Sequence, residues 1–228
     1  MTPAPSMATV LGRIGETQGP LPALAAAAIG LAAAAAVGIQ EIWLLARHIN
    51  TIAHEGAHAI VGSAVGRSVR AVTLRPNADG STVVGPGKPS GDLTIGVAGY
   101  LGPSAFGLAM AKLIELRHTV MVLWLTMLLL AMLLATLRQP FSFVPVLVVG
   151  GLLFLIARYG SLGAQSVTAY GVTWFLLLSG IRVVVDHGIN ASDANSLAGM
   201  THLRPAFWVV LWLAGTVLAL VFGGILLI

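Results

Sequence analysis

A helix that crosses a membrane needs about 20 consecutive, mostly apolar residues, and this chain of 228 residues supplies one such run after another. The first extends from Leu21 to Leu45 and is rich in alanine. Others follow at Ile49–Val65, Leu93–Ile114, Thr119–Leu137, Phe143–Ala157, Val167–Val185 and Ala206–Ile228. The second and fifth are short. The sequence therefore predicts an all-α polytopic membrane protein of six to seven transmembrane helices, with residues 21–228 as one transmembrane domain. Residues 1–20, rich in Pro, Gly and Thr, read as a disordered N-terminal tail.

Composition supports lipid as part of the solvent. Hydrophobic residues make up 57% of the chain and charged residues 9%, with a mean hydropathy of +0.92; soluble domains average about 25% charged. The net charge of +4 does not indicate nucleic acid, because the basic residues stand singly between apolar segments, as topology determinants do. Cysteine is absent, so any metal must be held by His, Asp or Glu.

Two polar stretches interrupt the pattern. Residues 66–90 are the only ones with β character: Val69, Val72 and Leu74 lead into Pro76-Asn77-Ala78-Asp79-Gly80, and Thr82, Val83 and Val84 follow. An Asp-Gly turn between β-branched runs predicts a hairpin. Residues 186–205 form the second stretch. With the N-terminus in the cytoplasm and seven spans, eight of the twelve basic residues fall on the cytoplasmic side, which is the sense of the positive-inside rule. Both polar stretches then share that side. The expected location is a multi-pass integral membrane protein with a cytoplasmic N-terminus. Gly62 and Gly66 are expected to let helices pack closely. No internal repeat is visible, which counts against a transporter.

The chemistry is concentrated in the second segment, where residues 54 to 58 read His-Glu-Gly-Ala-His. Positions i and i+4 share one helix face, so the imidazoles of His54 and His58 can grip one metal ion. Glu55, next to the first ligand, is placed to take a proton from an attacking water and deliver it to the leaving amine. This is the arrangement of zinc hydrolases. Ionisable groups inside an apolar helix are costly and rarely present without a function. A catalytic zinc needs a third protein ligand. The candidates are Asp186, His187, Asp193 and His202, and spacing alone does not choose among them. Asp186 also reads as a helix-end residue, His187 and His202 as solvated loop residues, and Asp193 as the N-cap of a helix starting at Ala194.

These residues resemble the site-2 protease family of intramembrane zinc metalloproteases, in particular its compact bacterial members. The resemblance rests on His54-Glu55-Gly56-Ala57-His58 in an apolar helix and on the β-prone stretch after it. It rests further on Gly99-Tyr100-Leu101-Gly102-Pro103 and on Asn190-Ala191-Ser192-Asp193-Ala194 before a late helix. It runs from about Ile49 to Pro205, and it departs from the family pattern at Ala194, where Gly is common, and at Ser104-Ala105-Phe106, where an Asn is common. The resemblance implies Zn2+ held by His54, His58 and Asp193, with Glu55 as the catalytic acid/base. It implies an intramembrane endopeptidase in a bacterial cell membrane, acting on membrane-protein substrates such as a single-span anti-sigma factor. A catalytically silent partner-binding relative and a metal or proton transporter are the competing readings.

A substrate helix must unwind before its carbonyls can be attacked, and a hairpin edge within Val69–Val84 could pair with the extended segment. Water must reach the site through a polar cavity.

Overall fold

Apolar runs in lipid satisfy their backbone groups within one segment, and the α-helix is the way a single segment does so. The computed structural model, which describes residues 12–228, is accordingly helical with one small sheet. Among the described residues the order is α1 (Ala23–Gly38), α2 (Gln40–Ala64), β1 (Val69–Leu74), β2 (Gly80–Val84) and α3 (Pro89–Glu115). Then come α4 (Thr119–Leu134), α5 (Pro140–Tyr159), α6 (Leu162–His187), a 3₁₀ turn (Gly188–Asn190), α7 (Ser192–Thr201) and α8 (Pro205–Leu227). Pro89, Pro140 and Pro205 each open a helix at the position where the missing N–H costs nothing. At the start of α6, the Ser161 side chain caps by accepting from Ala164 N–H at 3.2 Å.

Four of these helices, α3, α5, α6 and α8, are long and apolar enough to cross a membrane. The pair α1 and α2 adds a fifth if counted as one broken span, while α4 is apolar but shorter. The six to seven spans expected from the sequence are not reached by this measure. One boundary, together with the shortness of α4, explains the difference. The run read as Leu21–Leu45 is broken at Gly38–Ile39, where Ile39 is extended and the chain turns by 100°. The polar pair Gln40-Glu41 starts α2, which then carries the zinc-type motif in a single 25-residue helix. Many large apolar side chains, among them Leu24, Leu45, Val210 and Ile225, are left exposed, as on a lipid-facing surface.

Helix α3 lies at the centre, packed against α2, α6 and α8. Small residues allow the close approaches: a Cβ on Gly102 would overlap Ala57, and one on Gly180 would overlap Ser104. Gly62 has this packing role too, against Val84. Gly66 does not. It has φ +79° and open space around it, so it ends α2 as a left-handed turn residue. Arg67 N–H closes back onto the Gly62 carbonyl at 2.9 Å.

The expected hairpin is present. Strands β1 and β2 pair antiparallel, with Val72 opposite Thr82 and Leu74 opposite Gly80. The outer edge of β1 is occupied: Val72 N–H donates to Thr136 O at 3.0 Å and Leu74 N–H to Ser142 Oγ at 2.8 Å. Of the expected N-terminal tail, residues 1–11 lie outside the described residues. Gln18 is buried, its N–H donating to Arg117 O at 2.8 Å and its Oε1 accepting from Val120 N–H at 3.1 Å.

Candidate metal centre

The helical period of α2 puts Arg47, Asn50, Thr51, His54, Glu55 and His58 along one stripe lining a polar cavity. His58 is buried and its Nδ1 lies 2.8 Å from the Ile95 carbonyl. A carbonyl only accepts, so Nδ1 carries a proton there and Nε2 is the nitrogen directed at the site. His54 Nε2 is 3.1 Å from His58 Nε2. Its ring meets Tyr100 edge-on, with centroids 4.8 Å apart, and Tyr100 in turn stacks on Trp212 at 4.4 Å. Gly99 makes room for both imidazoles: a Cβ at that position would overlap His58 Nε2 and lie 2.6 Å from His54 Nε2.

The third side chain of the group comes from α7. This short helix buries Ala194 and Leu197 against Tyr100, Trp208 and Trp212, and Trp212 Nε1 donates to Val97 O at 3.1 Å. With that face buried, Ser192, Asp193, Ser196 and Met200 line the cavity. Asp193 Oδ2 lies 3.3 Å from His54 Nε2 and 3.4 Å from His58 Nε2. The three side chains form a group able to hold a metal ion. Asp193 is not the N-cap of the helix: that position belongs to Ala191, and Asp193 sits in the first turn, where the helix dipole favours a carboxylate. Burial pushes its carboxyl up, but the hydrogen bonds and charges of His54 and His58 outweigh burial and hold it below the usual carboxylate range.

Asp186 and His187 line the same cavity but lie outside the three-residue group. Asp186 is held by Arg182, whose Nε lies 2.8 and 2.9 Å from its two oxygens. His187 Nδ1 bonds to Val183 O at 2.9 Å. His202 takes a left-handed conformation (φ +60°) at the end of α7.

Glu55 is 4% exposed, and the hairpin is what holds it. Thr82 Oγ1 lies 2.6 Å from Glu55 Oε2 and 3.2 Å from Glu55 O. Gly80 lies against the same carboxylate, so close that a Cβ would overlap Oε1. Val72 and Leu74 direct their N–H groups away from β2, so their partners Thr82 and Gly80 form non-hydrogen-bonded pairs and direct their own backbone groups outward. Those outward groups have no protein partner among the described residues. The free edge of the sheet thus lies beside Glu55.

The cavity has a volume of about 790 Å³. A separate cavity of about 280 Å³ lies on the other side of α2, lined by Ile52, Gly56, Phe106 and Met110 and without an ionisable group. Sequence reasoning singled out His54, Glu55, His58 and Asp193. It did not assign roles to Thr82, Gly80, Tyr100 or Ile95, which support them. The Gly99-Tyr100 pair was visible as a motif, but nothing in its spacing tied it to the histidines.

Among family models, that of the Peptidase M50B-like family matches residues 26–223. No curated protein and no solved structure matches the chain.

Proposed function

The chain belongs to the Peptidase M50B-like family, a site-2 protease family, and from that premise we propose that it is a zinc-dependent intramembrane endopeptidase. Its substrates would be membrane proteins cut in or near a transmembrane segment. The observation that carries the reading is the convergence of His54, His58 and Asp193 on one point, with Glu55 beside them in a polar cavity. The donor set suits zinc: two imidazole nitrogens and one carboxylate oxygen, with a further position left for the reaction. Gly99 leaves the space in front of both Nε2 atoms clear of a side chain. When bound, zinc would supply Lewis acidity, polarising the substrate carbonyl and making water acidic enough to attack it near neutral pH.

The protein's own residues do the rest. The Ile95 carbonyl fixes the His58 ring, and Tyr100 fixes that of His54. Glu55 accepts a proton from the attacking water and returns it to the departing amine. The Thr82 hydroxyl bonds one oxygen of Glu55 and leaves Oε1 for that transfer. The outward N–H and C=O groups of Gly80 and Thr82 can pair with a substrate segment drawn out as a strand, setting its carbonyl beside Glu55. The cavity supplies water and a polar lining for unwound backbone at membrane depth.

The test is cleavage of membrane-protein fragments by the purified protein in detergent, wild type beside Glu55→Gln. The reading expects cleavage by the wild type, its loss in Glu55→Gln, and the same zinc content in both. Equal cleavage by both would contradict it. A catalytically silent relative would show cleavage in neither.

A further inference from the structure

Two arginines in the cavity lack an acidic partner. Arg47 and Arg75 both line it, and neither forms an ion pair among the described residues. The nearby carboxylates are already engaged: Glu55 by Thr82, Asp92 by Arg67, Asp186 by Arg182, Asp79 by Asn77 and Asp193 by the histidines. Arg47 Nε is buried without a hydrogen-bond partner. Arg47 as a whole is half-buried and Arg75 is exposed, so the pair gives the cavity wall two uncompensated positive charges that a complementary anion can reach.

The fold says where on a substrate that anion would sit. Thr51 Oγ1 meets Ala78 O at 2.7 Å, the Glu55 carbonyl meets Thr82, and Gly62 lies against Val84. Strand β2 therefore runs in the same direction as α2. Arg47 precedes His54 by seven residues, which keeps both on one face, about 10 Å apart along the axis at 1.5 Å per residue. An extended strand covers that distance in about three residues. A substrate pairing antiparallel to β2, the more stable arrangement, would run from the Gly62 end towards Arg47. The residue reaching Arg47 would then follow the cut bond. Arg75 joins at the hairpin turn, where its N–H closes onto Asp79 O at 2.9 Å.

Building on the proteolytic reading above, we infer that Arg47, assisted by Arg75, selects substrates with a carboxylate about three residues to the C-terminal side of the scissile bond. The carboxylate is a Glu or Asp side chain or the end of the substrate chain. Arg47 is a specificity residue in this account. It does not touch the reacting atoms.

The test is a specificity profile. Zinc-loaded protein in detergent is given a chymotryptic peptide library from a membrane proteome, half of it amidated at the C-terminus, and cut sites are read by mass spectrometry. Asp and Glu should be enriched roughly threefold to fivefold at the third residue after the cut, the size expected of a partly exposed ion pair. Arg47→Gln should abolish the enrichment and Arg47→Glu should turn it towards Lys and Arg, both with wild-type zinc content. Arg138→Gln, an exposed residue that does not line the cavity, should keep it. Asp and Glu enrichment that survives amidation assigns the carboxylate to a side chain; cuts concentrated three residues before a free C-terminus and lost on amidation assign it to the chain end. Cutting without enrichment, or enrichment unchanged in both Arg47 variants, overturns the inference alone. If the wild type cuts nothing, the proteolytic reading falls and the inference falls with it.

Discussion

The Thr82 hydroxyl lies 2.6 Å from Glu55 Oε2, so the side chain proposed to move the proton is held by the hairpin and not by its own helix. Thr82→Val keeps the shape and removes the donor. The expected result is a fall in kcat of roughly tenfold, the scale of one hydrogen bond to a charged group, with zinc content unchanged. Thr82→Ser should restore most of the rate. A Thr82→Val enzyme with wild-type kcat would show that Glu55 needs no such support.

Two glycines separate the proposed metal site from the proposed proton carrier. A Cβ on Gly99 would overlap His58 Nε2, whereas one on Gly80 would overlap Glu55 Oε1. Gly99→Ala should lose zinc, measured by metal analysis, while helical circular dichroism persists. Gly80→Ala should keep zinc and lose most of its activity. The reverse pattern would mean that the two sides of the site are wrongly assigned.

Helix α7 holds Asp193 in place by burying Leu197, which is 0% exposed. Leu197→Ala should destabilise the protein by about 2–4 kcal/mol through the cavity it leaves. It should also weaken zinc affinity by roughly tenfold or more, as changes behind a ligand commonly do. Thermal unfolding and chelator competition read the two effects. A lower Tm with unaltered zinc affinity would separate α7 packing from ligand placement.

The pair of histidines and the glutamate were legible because a five-residue motif on one helix fixes its own geometry. The third donor was not legible from spacing; the family resemblance alone pointed to Asp193. Asp186, His187, Asp193 and His202 all fall in one polar stretch; Asp186 and His187 line the cavity too, and it is the buried face of α7 that sets Asp193 against the histidines. One clue was available in the sequence: Arg182 stands four residues before Asp186 on a helix, and that pairing accounts for Asp186. The hairpin was readable from its Asp-Gly turn, but its link to Glu55 depends on the packing of β2 along α2, which no local pattern encodes. The break between α1 and α2 was hidden inside an apolar run, with only Gly38 and the Gln40-Glu41 pair to mark it.

The measurement that bears most directly on the central claim is the zinc content of purified, zinc-loaded protein, wild type beside Asp193→Ala and Asp186→Ala. The expected result is about one zinc per chain in the wild type, strong loss in Asp193→Ala and retention in Asp186→Ala. A wild type that stays free of metal, or an Asp193→Ala protein that binds zinc as tightly as the wild type, would contradict the account.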